Sequence, residues 1–332
     1  MKITQNAIHL RPFTLADAQE VTKLFNACSQ ALFGHDTYDL DRMINDWKTP
    51  GLNLEEVARV LECEQGKIIG YIEVWDTTSP HVTKFVWGMM HPEHWDDGLY
   101  HNILTWAETC SRERLSLAPE GTRVTMSQGV ANKDMRRKKC LESYGYQVVR
   151  HYYRMEIELE DGREVIHTPE GIEIIPIDLE AEFKTAILAM EDGFKDHWGR
   201  VDRPIDAVLQ EWEHYIHHDK DFDPNLWFLA KSKDEIVGVC RCESKIVEDS
   251  EMGWVSQLCV RQPWRRQGLG KALLLTAFKA LHQHGKKRVG LEVDASSPTN
   301  ATRLYEKAGM QIARQSDIYE FELRPGKRLG YT

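Results

Sequence analysis

Residues 254–260 (W-V-S-Q-L-C-V) form an apolar run of strand length, and residues 271–284 form a long amphipathic segment of helical period. Between them lies V-R-Q-P-W-R-R-Q-G-L-G, residues 260–270. The pattern predicts a strand, a basic glycine loop and a helix, in that order. Further on, residues 288–294 (R-V-G-L-E-V-D) read as a buried strand. Residues 300–310 (N-A-T-R-L-Y-E-K-A-G-M) read as a short helix closed by Gly309 at the C′ position. Earlier, F-K-D-H-W-G (194–199) interrupts helical patterning, which resumes after Pro204 over residues 205–217.

The same order of elements occurs twice. I-H-L-R-P at 8–12 matches I-E-I-I-P at 172–176, each a strand that opens its half and runs into a helical stretch. G-K-I-I-G-Y-I-E-V at 66–74 matches D-E-I-V-G-V-C-R-C at 234–242, a turn and then a strand in both. M-H-P-E-H-W-D-D-G-L-Y at 90–100 aligns without gaps to residues 260–270, and L-E-S-Y-G-Y at 141–146 aligns with Y-E-K-A-G-M at 305–310. Offsets of 164 (8 to 172) to 170 (90 to 260), kept in order, indicate a tandem duplication. The polar stretch 160–163, ahead of P-E-G at 169–171, is the expected linker. The halves are then residues 1–160 and 171–323.

The loop between strand and helix carries the chemistry. Gly268 and Gly270 let a ligand approach the backbone, because glycine has no Cβ and tolerates positive φ. The unpaired N–H groups of a helix's first turn make an anion site there. Arg265 and Arg266 add charge suited to phosphate oxygens. A pyrophosphate is the implied ligand. A Walker loop needs Gly-Lys-Ser/Thr, and Gly270-Lys271 is followed by Ala272. A dinucleotide fingerprint needs a third glycine, and Leu273 stands there.

Composition narrows the classes. The 332 residues, 42% hydrophobic and 28% charged, describe a soluble globular chain of two domains. No apolar run approaches transmembrane length, and residues 1–6 (M-K-I-T-Q-N) lack the apolar core of a signal peptide. Seven scattered cysteines read as reduced thiols in a cytoplasm, and Cys240-x-Cys242 has no partner pair for zinc, so no metal is expected. A net charge of −10 argues against a non-specific nucleic-acid or anionic-membrane binder and leaves cationic acceptors open.

Arg-x-x-Gly-x-Gly directly after a strand, with L-Y-E-K-A-G-M closing the next helix, resembles the acetyl-CoA signature of the GCN5-related N-acetyltransferases, the GNAT superfamily. The resemblance covers residues 171–323. It implies an α+β fold, an α/β/α sandwich made of two tandem GNAT-like domains. Each would be a mixed, mostly antiparallel sheet, splayed at its middle, with helices on both faces. Tandem halves with a degenerate first copy resemble the mycothiol synthase branch.

The resemblance also implies roles. The backbone of Leu258, Cys259 and Val260 would pair with the pantetheine arm of acetyl-CoA as an added strand. Arg265, Arg266, Gln267, Gly268, Leu269, Gly270 and Lys271 would hold the pyrophosphate. Tyr305 matches the family's general acid, which protonates the departing thiolate. The general base is open: Glu251 is the first choice, Glu292 and Asp294 on the next strand the second, His197 the third. His197 and Trp198 fall in the segment that covers the acceptor in this fold. Asn300 lies five residues before Tyr305, where the family has an asparagine at seven, so it is both a coenzyme ligand candidate and a helix N-cap candidate.

The first half departs from this pattern. Trp95 replaces Arg265, Asp96-Asp97 replace Arg266-Gln267, Tyr100 replaces Gly270 and Leu141 replaces Tyr305. Two carboxylates facing a pyrophosphate would repel it, so residues 1–160 are expected to be non-catalytic. The expectation is an acetyl-CoA-dependent transfer to the amine of a small molecule by a monomer or homodimer. The alternative is an idle acyl-CoA-binding regulatory protein.

Overall fold

A computed structural model describes residues 8–160 and 166–330. Residues 1–6, and 161–163 of the expected linker, lie outside the described residues. The chain forms two compact units: Met1–Val149 with Asp317–Leu329, and Arg150–Ser316.

The first half supplies strands β1 (Ile8–Pro12), β2 (Ala58–Cys63), β3 (Ile68–Trp75), β4 (Thr83–Met90), β5 (Val124–Ala131) and β6 (Gln147–Glu158). Its helices are α1 (Ala18–Phe33), α2 (Leu40–Trp47), α3 (Leu54–Val57), α4 (Asp97–Glu113) and α5 (Met135–Tyr144). The second half supplies β7 (Glu173–Pro176), β8 (Trp227–Ser232), β9 (Glu235–Glu243), β10 (Met252–Val260), β11 (Arg288–Asp294) and β12 (Gln311–Arg324). Its helices are α6 (Leu179–Phe194), α7 (Ile205–His218), α8 (Leu269–Gln283) and α9 (Ala301–Lys307). The repeat is structural as well: β1 to β6 recur as β7 to β12, with α1, α4 and α5 answered by α6, α8 and α9.

In the second unit the strand order is β6-β11-β10-β9-β8-β7, antiparallel at every junction except β10/β11. That parallel pair holds only over Met252 to Val255 against Arg288 to Leu291. A bulge between Val255 and Gln257 then breaks the register of β10, and the two strands part. The V so opened is the splay expected of this fold. In the first unit β1 to β4 are antiparallel neighbours, and β4 meets β5 in parallel over three residues, Thr83 to Phe85.

The units do not follow the expected boundaries of 1–160 and 171–323. Residues 150–158 of β6 lie in the second unit, where 152–158 pair along β11, and residues 317–324 of β12 lie in the first. The second unit is cored by Leu273, Leu274, Phe278 and Leu281 of α8 against Val237, Val289 and Leu291, with Met155 and Ile157 of β6 in the same cluster. Tyr319 and Leu323 of β12 join Ile72, Ile103 and Leu104 in the first. Among the described residues all seven cysteines are buried free thiols. No described helix is long and apolar enough to cross a membrane.

Candidate active site

The V between β10 and β11 is a cavity of about 750 Å³. Its floor is β10, where Leu258, Cys259 and Val260 face it. One wall is the loop into α8, and the other is β11 with the loop into α9.

The loop owes its shape to two residues in left-handed conformation, Arg266 (φ 66°) and Gly268 (φ 87°). Gly268 is the N-cap of α8 and gives its first turn no side-chain cap. The opening N–H groups of the helix therefore remain available to a ligand, backed by the positive end of the helix dipole. Arg265, Arg266, Gly268, Gly270 and Lys271 line the cavity. Gln267 and Leu269 do not: Gln267 bonds back to Pro263 O and Leu269 is buried in the core, so each can give a ligand its backbone N–H alone.

The charge expected of Arg265 is already taken. Its guanidinium bonds both carboxylate oxygens of Asp196, the Gly193 carbonyl and the Val260 carbonyl. It braces the loop against the end of α6, and each partner of the ion pair shifts the other's pKa away from neutrality. Arg266 keeps its charge exposed at the cavity edge.

Tyr305 is buried on α9 and lines the cavity. Burial, then the nearby Cys240 and Cys259, push its phenol well above the ordinary value, so it holds its proton at neutral pH. α9 ends where expected, at Gly309 in left-handed conformation (φ 91°) with Met310 N–H on Tyr305 O. Asn300 also has positive φ (55°) and stands at the N-cap of α9, yet its side chain makes no capping bond. The expected capping role is absent, and Asn300 faces the cavity instead.

The candidate bases separate clearly. Glu251 does not line the cavity; it is exposed and paired with Lys287 at 2.5 Å. It lies just before the paired start of β10, remote along the strand from Leu258. Asp294 lines the cavity but is bound in a two-pronged pair by Arg150, whose Nη2 lies 2.9 Å from Oδ2. Glu292 also lines the cavity, and among the described residues it has no hydrogen-bond or ion-pair partner. Glu292 is exposed through the open cavity, and desolvation by the protein around it raises its pKa against the pull of Arg154. His197 packs edge-on against Phe194 at 4.9 Å, and burial lowers its pKa, which leaves a neutral imidazole.

His197 and Trp198 wall the cavity, and Tyr152 joins them from β6. Arg150 stacks over Trp198 at 5.5 Å while holding Asp294. These β6 residues were not legible in the sequence. They carry no motif, and only the pairing of Tyr152 with Asp294 brings them here.

The first unit has closed the equivalent place. Asp96 caps α4 through a 2.9 Å bond from Leu99 N–H, so the helix terminus is already occupied by a carboxylate. Tyr100, at the repeat position of Gly270, is fully buried and aims its hydroxyl at Gly88 O, the repeat position of Leu258.

The sequence model of the acetyltransferase (GNAT) family matches residues 189–310. An N-alpha-acetyltransferase MAK3 of Arabidopsis thaliana is 31% identical over 100 residues, 30% of this chain and 51% of the relative. A mycothiol acetyltransferase of Nocardiopsis dassonvillei is 29% identical over 150 residues, 43% of each chain. The chain thus spans about half the length of the curated relatives it matches. The crystal structure of a GCN5-related N-acetyltransferase from Sphaerobacter thermophilus superposes with a TM-score of 0.81 at 28% identity, covering 100% of both chains. A tandem GNAT protein from the clavulanic acid biosynthesis pathway gives 0.72 at 12% identity over 96% of this chain and all of that one, a likeness of fold.

Proposed function

We propose, from the match of residues 189–310 to the GNAT acetyltransferase family, that this chain is an acetyl-CoA-dependent N-acetyltransferase. Its chemistry lies in the second unit, and its acceptor is the amine of a small molecule. The observation that carries the reading is the start of α8. Its N–H groups, left without a side-chain cap by Gly268, open onto a cavity that also holds Tyr305 and Glu292. The same terminus of α4 is filled by Asp96, which supports a non-catalytic first unit.

The residues divide the work as follows. The first turn of α8 and Arg266 hold the donor's pyrophosphate. The backbone of Leu258 to Val260 aligns the pantetheine arm, and an N–H of that stretch stabilises the charge developing on the thioester oxygen. Glu292 takes a proton from the acceptor ammonium, which frees the nitrogen lone pair to attack the acetyl carbon. Its raised pKa suits that task near neutrality. Tyr305 gives its proton to the sulfur as the carbon–sulfur bond breaks, and the second proton that the nitrogen sheds as the amide forms restores the phenol. Tyr152, His197 and Trp198 wall the acceptor end, which favours a small amine.

Calorimetric titration with acetyl-CoA tests this. The expected result is one site per chain, abolished by Arg266→Glu. Two sites per chain would overturn the inert first unit, and no binding would overturn the donor assignment.

A further inference from the structure

The loop of the first unit that stands in the repeat position of the donor loop has a chemistry of its own. His91 follows β4 directly and is anchored there by its N–H to Ile69 O at 2.8 Å. Pro92 starts a single 3-10 turn over Pro92 to His94, closed by His94 N–H to His91 O at 2.9 Å. In that geometry side chains at i and i+3 eclipse, so the two imidazoles lie side by side, with ring centroids 5.2 Å apart. One ligand atom from each of His91, Glu93 and His94 lies within 4.8 Å of the others.

We propose that His91, Glu93 and His94 form a binding site for a divalent transition cation of the zinc class. Two imidazoles and one carboxylate are a zinc donor set that leaves a position open. Zinc bonds of about 2.0–2.2 Å place ligand atoms about 3.3 Å apart, so the side chains must close inward. Nothing opposes that on the Glu93 side, where the carboxylate is exposed and has no ion-pair partner among the described residues.

Each imidazole already uses one ring nitrogen as an acceptor. His91 Nδ1 accepts a long bond of 3.3 Å from Glu93 N–H. His94 Nε2 accepts from the ammonium of Lys67 at 3.2 Å. A cation is therefore already held beside His94, and metal binding would displace it. The duplicated loop has thus exchanged an anion cradle for a set of cation ligands.

The test is a calorimetric titration of the chelator-stripped full-length chain with Zn²⁺. One ion per chain is expected, with affinity falling about tenfold or more in His94→Ala and in Glu93→Gln, a loss of the order set by metal-site substitutions. Lys67→Gln removes the competing ammonium and should tighten binding. Because it acts in the opposite direction, it separates a ligand effect from damage to the fold. Co²⁺ bound in place of Zn²⁺ should give a visible d–d band that disappears in His94→Ala. Absence of a stoichiometric site overturns the proposal. So does Zn²⁺ affinity unchanged in His94→Ala, which would place the ion on other histidines, or unchanged in Lys67→Gln.

Discussion

Arg265 and Asp196 are locked together by two hydrogen bonds, with Arg265 Nη2 2.9 Å from Asp196 Oδ1, across 69 residues of sequence. The pair joins the donor loop to the segment that carries His197 and Trp198. The residue whose charge the motif assigns to the ligand thus acts as a brace between the two halves of the cavity.

Asp196→Asn should release that brace. The KM for acetyl-CoA should rise about tenfold, with stability falling about 1–3 kcal/mol for the lost charged hydrogen bonds. Arg265→Lys should not restore the geometry, since a single ammonium cannot span both oxygens. Steady-state kinetics and thermal unfolding read both effects. An unchanged KM in Asp196→Asn would show that the loop holds its shape without the pair.

Tyr305→Phe should leave the dissociation constant for acetyl-CoA unchanged and lower kcat by roughly 10²–10⁴, the range for loss of a general acid. Turnover at the wild-type rate would remove Tyr305 from the mechanism. It would also reopen the reading of the chain as an acyl-CoA sensor.

The acid limb of kcat/KM should follow Glu292. A base works deprotonated, and burial raises this carboxyl, so activity should climb with pH through a value above the ordinary carboxylate range. Glu292→Gln should flatten that limb and slow turnover, while Glu251→Gln should do neither. A limb that persists in Glu292→Gln assigns the base elsewhere.

Stability should carry a pH dependence of its own from Glu73. This carboxyl is fully enclosed in the first unit and accepts from Tyr71 Oη and Trp47 Nε1. Burial outweighs those donors and raises its pKa from 4.5 to about 7. The folded chain therefore keeps the proton longer than the unfolded chain, so stability falls as pH rises from 4.5 to about 7. Glu73→Gln, which keeps an acceptor for both donors, should remove up to about 3 kcal/mol of that dependence in denaturant unfolding. Equal slopes in the two proteins would place Glu73 outside the titration.

A fragment of residues 166–330 should not fold as the second unit does. It lacks residues 150–158, of which 152–158 pair along the whole of β11 and bring Arg150 to Asp294. One open edge of β11 and a buried, unpartnered carboxylate should leave it aggregated or without a cooperative transition. A soluble fragment that binds acetyl-CoA at wild-type affinity would refute this.

By itself the sequence determined what depends on neighbours along the chain. The order strand, loop, helix around Gly268, the close of α9 at Gly309 and the place of Tyr305 follow from local periodicity and from the few residues that tolerate a left-handed backbone. The duplication was legible for the same reason, since each copy repeats its own local signals. Which side chains meet in the cavity was decided by strand pairing and packing. The splay of β11 from β10 puts Glu292 on the cavity, while Glu251 ends on the surface beside Lys287. Arg150 and Tyr152 arrive through a partner strand from the other half of the chain. Arg265 gives up its charge to Asp196, whose approach follows from the packing of α6 on β10. Contacts of that kind join residues tens of positions apart, and no local pattern encodes them.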